Sequence, residues 1–198
     1  MTQLWLMQED RNELLQRIAQ EVVRAQAIGE DFTLVFVCTH NSRRSQLCQA
    51  WFWHYAQRAG LDVDIASAGT EVTACNARTV AALRRAGFGV LAENDTVDNP
   101  TFLLTDQDRT SSSCYLFSKT LNHETLSNKQ LIAIMTCDHA DENCPFIPTA
   151  IARIPLRYKD PKHADDTEHE PKAYDLASDT IRNEMRLLVD LIKDAVKN

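Results

Sequence analysis

Three groups of residues are of types, and at spacings, that can do chemistry: Cys38 with Arg44 and Ser45, Cys137 with Cys144, and Asp160 before Pro161. Cys38-Thr39-His40-Asn41-Ser42-Arg43-Arg44-Ser45 joins an apolar, β-rich run, Phe32 to Val37, to a helical segment, Gln46 to Ala59. A loop in that setting can wrap its backbone N–H groups around an oxyanion, with the helix dipole behind them. Arg44 adds a permanently charged, bidentate fork. Such a field favours the thiolate of Cys38, a nucleophile at neutral pH, and Ser45 is placed to hydrogen-bond its sulfur. The bland alternative is a structural cysteine at a strand end beside a solvated arginine.

Cys137 and Cys144 flank a flexible polar loop and meet only if it bends back, because a disulfide needs Cα atoms about 4.4–6.8 Å apart. Zinc is the rival use, with Cys137, His139, Cys144 and a further histidine as ligands. Six intervening residues are wide for a zinc knuckle and there is no second close cysteine pair, so no metal is expected. An oxyanion-transferring thiolate needs an acid for the departing oxygen, and Asp160 is a candidate. Taken alone, Asp-Pro is equally a turn dipeptide. Cys48, Cys75 and Cys114 read as core thiols. Trp51, Phe52, Trp53 and Tyr55 read as core and interface, and the acidic run Asp165 to Glu170 as solvated loop.

The elements that must position these residues alternate between strand and helix. Residues 9 to 28 carry an amphipathic stripe of Leu14, Leu15, Ile18, Val22 and Ala25, ending at Gly29. Phe32 to Val37, Val63 to Ala66, Leu131 to Met135 and Arg153 to Leu156 read as strands. Asn76 can N-cap a helix through Arg85, and residues 173 to 197 form a final amphipathic helix. Residues 88 to 128 read as polar loop with a short strand near Tyr115 to Phe117. This order predicts a doubly wound α/β sheet whose strand C-termini gather Cys38, Cys137 and Asp160 into one crevice. An N-terminal helical extension, 1–30, precedes the α/β domain, 31–198. The stripe on that helix needs a surface to cover it, on this domain or on a second copy in a homo-oligomer.

Composition excludes several classes. A chain of 198 residues, 44% apolar and 25% charged, can bury a core without disulfide staples. A net charge of −7 argues against a general nucleic-acid or anionic-membrane binder. No apolar run approaches the roughly 18 residues of a membrane span. The N-terminus turns polar too early for a secretory signal, so the expected compartment is the cytoplasm, with its six cysteines as thiols.

The segment VFVCTHNSRRSQ resembles the active-site loop of the low-molecular-weight protein tyrosine phosphatase superfamily, especially its thioredoxin-coupled arsenate reductases. Ser67-Ala68-Gly69-Thr70 is similar to that family's segment after the second strand, and Asn76 with its helix also fits. The Cys137-x6-Cys144 spacing matches the redox loop of the arsenate reductases and has no counterpart in the ordinary phosphatases. The resemblance covers roughly residues 32 to 192. It implies a four-stranded parallel sheet flanked by helices, with Cys38 as nucleophile and Asp160 as acid. It implies that Thr39, His40, Asn41, Ser42, Arg43, Arg44 and Ser45 surround the oxyanion, without metal or organic cofactor. It further implies a cascade in which Cys137 attacks the Cys38–arsenic adduct, Cys144 attacks Cys137, and a thioredoxin-like partner reduces the product. His40 stands where a glycine is usual, and Arg43 where many members carry a second loop cysteine. Lys162 and His163 replace the aromatics with which tyrosine phosphatases grip their substrate. The alternatives are a phosphatase working through phospho-Cys38 and a non-enzymatic redox or oxyanion sensor.

Overall fold

The computed structural model describes residues 2–94, 98–106, 109–143 and 146–196, with side chains from residue 11 onward except those of 109–112 and 143. Helix α1, Thr2–Ala27, ends at Gly29, whose φ of 71° only glycine adopts without strain. Strand β1, Phe32–Cys38, runs into the loop and then helix α2, Arg44–Ala59. Strand β2, Asp64–Gly69, and helix α3, Ala77–Arg85, follow. Next come β3, Phe88–Ala92, β4, Phe102–Asp106, and β5, Arg109–Leu116. Strand β6, Gln130–Met135, leads to a six-residue helix α4, Asp138–Asn143, and then to β7, Ala150–Pro155. A 3₁₀ turn, Pro161–Ala164, precedes the long helix α5, Glu170–Val196.

The main sheet has the order β2-β1-β6-β7 and every pairing in it is parallel. Alternation along the strands divides the core in two. Leu34, Phe36, Ile132 and Ile134 pack under α1, α2 and α5, whereas Val35, Val37, Ala133 and Met135 pack under α4 and Ile147. Burial on both faces is why these strands read as unbroken apolar runs.

Two expectations are corrected. Residues 88 to 128 are not mainly polar loop: β3, β4 and β5 form a second, antiparallel sheet in which Val90, Leu104 and Cys114 lie side by side. Among the described side chains of these strands burial largely alternates, and residues such as Thr105 and Ser113 between the buried ones mimic loop composition. The stretch after Cys137 is also not a loop, since α4 starts there. Cys137 Sγ accepts the Ala140 N–H at 3.4 Å, as an N-cap side chain would. Asp138 and Asp141 in the first turn suit the helix dipole and are bound by Arg153 and Arg157.

The apolar stripe of α1 finds its partner surface on the same chain. Leu15, Ile18, Val22 and Ala25 are buried in one cluster with Phe36 of β1 and Ile181 and Leu188 of α5. Ile18→Ala should therefore cost about 2–5 kcal/mol, read from urea unfolding. A loss well below that range would show that the stripe is loosely held.

Candidate active site

The loop from Thr39 to Arg43 turns its carbonyls outward, and each is bonded there. Thr39 O accepts the N–H groups of Thr70 and Glu71, both at 2.9 Å. His40 O accepts the hydroxyls of Thr73 at 3.0 Å and Ser118 at 2.9 Å. Asn41 O accepts Gln46 Nε2 at 2.8 Å. Ser42 O accepts the Asn76 N–H at 3.0 Å and the Thr79 hydroxyl at 3.2 Å. Arg43 O accepts the Leu47 N–H, which begins α2. The N–H groups of residues 40–45 find no acceptor among the described residues, and the N-cap of α2, Arg43, supplies no side-chain bond. Peptide geometry then directs these donors at the loop centre, where the N-terminus of α2 adds its partial positive charge. This is a cradle for an oxyanion.

Local sequence explains the curvature. Asn41 takes the left-handed conformation, φ 45°, and its side chain clamps both ends: Nδ2 donates to Ser45 Oγ at 2.9 Å and Oδ1 accepts the Lys119 N–H at 2.9 Å. His40 is outside the left-handed region, so its side chain brings no backbone strain; its ring lies half-exposed near Glu71. Gly69 is required by proximity: a Cβ there would lie 2.6 Å from Thr39 O and 2.8 Å from Asn41 N. Lys119 is buried over the Phe117 ring, and burial pulls its ammonium down to about 8.

Cys38 Sγ lies buried at the end of β1, 3.1 Å from Ser45 Oγ. Cys137 is also buried, and its Sγ meets Thr39 Oγ1 at 3.5 Å, next along the chain from Cys38. His139, considered above only as a zinc ligand, brings Nδ1 to 3.2 Å from the same hydroxyl. Arg44 Nη2 contacts Asp160 Oδ2 at 2.6 Å and its Nη1 donates to Tyr158 O at 3.1 Å. Arg44 Nε is buried without a partner among the described residues. Asp160 Oδ1 caps the 3₁₀ turn by accepting the Lys162 N–H at 3.0 Å. Cys144 lies outside the described residues. Of the expected site residues, Cys38 through Ser45, Cys137 and Asp160 thus converge. Tyr158, which contributes through a carbonyl, left no signal in the sequence.

The side chains of Ser42 and Arg43 turn away from the cradle. Ser42 Oγ donates to Ala74 O at 2.6 Å. Arg43 Nε donates to Tyr174 Oη at 2.7 Å and its Nη2 contacts Asp165 at 3.2 Å, so only the backbone N–H of Arg43 is available to the loop centre. Burial and donation to Asp165 outweigh the nearby Arg43 and push the Tyr174 phenol up to about 12, which keeps it a donor. The acidic run is accordingly not plain solvated loop: Asp165 pairs with Arg43, and Asp166 and Glu170 with Arg78. Of the three remaining described cysteines, burial pushes Cys75 and Cys114 up to about 12 and Cys48 well above its usual value.

A buried strand, a cysteine-to-arginine loop cradling its own N–H groups and a following helix define a class of cysteine-dependent oxyanion enzymes. Comparison with known proteins narrows it. A family model for low molecular weight phosphotyrosine protein phosphatases matches residues 33–95. An arsenate reductase of Brevibacillus brevis is 30% identical over 129 residues, 65% of this chain and 76% of its own. One from Bacillus licheniformis is 28% identical over 142 residues, 72% of this chain and 83% of its own. Among solved structures, an arsenate reductase from Archaeoglobus fulgidus has the same fold, with TM-score 0.53 and 18% identity over 79% of this chain and 98% of that one. So has a low molecular weight protein tyrosine phosphatase from Bacillus subtilis, with TM-score 0.52 and 16% identity over 82% of this chain and 98% of that one. The chain belongs to the low-molecular-weight phosphatase superfamily, in its arsenate reductase branch.

Two outcomes follow from this geometry. Arg44→Lys should lose at least about tenfold in kcat/KM, roughly 1.4 kcal/mol, because a point charge cannot replace the fork; near-normal turnover would remove Arg44 from the oxyanion site. At pH 8, the Cys75 and Cys114 thiols, held near 12, are thiolate in only about one part in ten thousand, and burial pushes the Cys48 thiol up in the same direction. Cys48, Cys75 and Cys114 should thus be alkylated only after denaturation, as peptide mapping would show.

Proposed function

We propose that this protein reduces arsenate to arsenite through Cys38, Cys137 and Cys144, with a thioredoxin-type protein as final reductant. The observation that carries the reading is the second cysteine at the cradle: Cys137 Sγ, 3.5 Å from Thr39 Oγ1, serves no purpose in simple ester hydrolysis. In the first step the Cys38 thiolate attacks arsenate held by the loop N–H groups and Arg44. An As–O bond breaks, and Asp160 protonates the departing oxygen, which leaves as water. In the second step the Cys137 thiolate attacks Cys38 Sγ. The S–As bond breaks, its electron pair goes to arsenic, and arsenite leaves as a Cys38–Cys137 disulfide forms. In the third step Cys144 attacks Cys137 Sγ and releases Cys38 as thiolate. The partner's dithiol then reduces Cys137–Cys144.

Helix α4 bears on the third step. Six residues of helix are about 9 Å long, beyond the roughly 4.4–6.8 Å that a disulfide allows between Cα atoms. Closing Cys137–Cys144 therefore requires the chain to turn back beyond Asn143 or the last turn of α4 to open. The compartment that suits this chemistry is the reducing cytoplasm; no described helix is long and apolar enough to cross a membrane. A monomer suffices for every step, so association through α1 is no part of this reading.

A second reading, hydrolysis of phosphate monoesters, is favoured by the loop itself. The cradle, Arg44 and Asp160 serve it equally up to the covalent adduct, after which water replaces Cys137. One added equivalent of arsenate should consume two thiols of the reduced protein and leave Cys137 linked to Cys144. Cys144→Ser should stall at Cys38–Cys137 after one turnover, and Cys137→Ser should stop arsenite release while sparing aryl-phosphate hydrolysis. Aryl-phosphate turnover with all thiols left free after arsenate would decide for the phosphatase.

A further inference from the structure

The first helix, which lies before the stretch matched by the family model, reaches the segment beside the site through Arg11. Arg11 on α1 forms a two-bond pair with Glu184 on α5, Nε to Oε1 and Nη2 to Oε2, each at 2.6 Å. Its remaining nitrogen, Nη1, donates to Arg157 O at 2.9 Å, and its guanidinium carbon lies 4.9 Å from the centroid of the buried Tyr158 ring. The fork is thus anchored on one helix and spends its last nitrogen on the segment that leads to Asp160.

That segment carries the acid side of the site. Tyr158 gives its carbonyl to Arg44 Nη1, and two residues on Asp160 gives Oδ2 to Arg44 Nη2. On its other side the segment is held by the Tyr158 N–H, which donates to Thr136 O at 3.1 Å just beyond β6. Residues 157 and 158 therefore sit between the end of the parallel sheet and Arg11. With Arg11 removed, Arg44 stays fixed at the start of α2, whereas the main chain leading to Asp160 loses its hold on the α1 side and is free to shift against it. A displacement of about 1 Å at a catalytic group can cost on the order of a hundredfold in rate.

We propose that Arg11 is a positioning residue for Asp160: it fixes the main chain at Arg157 and Tyr158, so α1 is part of the working site. The proposal rests on the reading of Asp160 as general acid. An acid matters most when the leaving group is poor, which separates positioning from general loss of structure.

The test uses the full chain and Cys38-dependent release of phenol from phenyl phosphate, beside release of dinitrophenol, which leaves unaided, from its phosphate ester. Arg11→Met should lose about tenfold or more on phenyl phosphate and less than about twofold on the dinitrophenyl ester. Arsenate should protect Cys38 from alkylation as well as in the unmodified protein. Arg11→Lys, which keeps the charge but not the fork, should show the same selectivity. So should Glu184→Gln, which loosens the anchor only and carries the test if Arg11→Met does not fold. Equal losses on both esters, or none on phenyl phosphate while Asp160→Asn is itself selective, would overturn the proposal. If Asp160→Asn is not selective, or the unmodified protein releases no phenol through Cys38, the acid reading falls and the proposal with it.

Discussion

A ring of N–H groups facing inward can exist only if the carbonyls of the same peptides are satisfied on the outside, and this constraint organises the structure around the loop. Each outward bond contributes only about 1 kcal/mol net, but a buried carbonyl left unpaired costs about 1–3 kcal/mol. The loop therefore collects donors from distant parts of the chain: Thr70 and Glu71 beyond β2, Asn76 and Thr79 at the start of α3, Ser118 beyond β5. Gly69 lets the second strand end come close enough to take part. The antiparallel sheet looks remote from any chemistry, yet it delivers Ser118, and with it the Lys119 N–H that orients Asn41.

Charge is handled by the same economy of placement. The chain is acidic overall, and an acidic run lies beside a site built for anions. Arg43 and Arg78 each bind members of that run, with Tyr174 as a neutral donor between Arg43 and Asp165. The Arg43–Asp165 pair, with both partners largely buried, is screened less by salt than the exposed contact of Arg78 with Asp166. Arg44 is left as the guanidinium next to the cradle, with Asp160 upon it.

What could be read from the sequence was what is local. Phe32 to Val37, the glycine end of α1 and the Asn76 cap carry their signals within a few residues. The cysteine–arginine loop was legible because strand, loop and helix are contiguous. What stayed hidden is long-range or half-buried. Phe88 to Leu116 pairs strands whose buried residues alternate with polar ones, and α4 is shorter than any periodicity can reveal. Contacts to a carbonyl, such as Arg44 to Tyr158 and Arg11 to Arg157, leave no mark in residue type. The acidic run was misjudged for the same reason: its arginine partners sit some 90 to 120 residues away in the chain.

The brevity of α4 has a consequence for timing. Helix–coil relaxation takes about 0.1–1 μs even for segments of some 20 residues, whereas enzymes typically turn over about ten times a second. Intrinsic helix–coil motion of a six-residue helix is thus far faster than a catalytic cycle, and what holds α4 closed is its buried Ala140 and its arginine–aspartate contacts. The cost of handing the disulfide outward is then set by those contacts rather than by the intrinsic speed of the helix. Strengthening the contacts of Asp138 and Asp141 with Arg153 and Arg157 would lower the fraction of time the segment is open, and would slow thiol exchange in proportion.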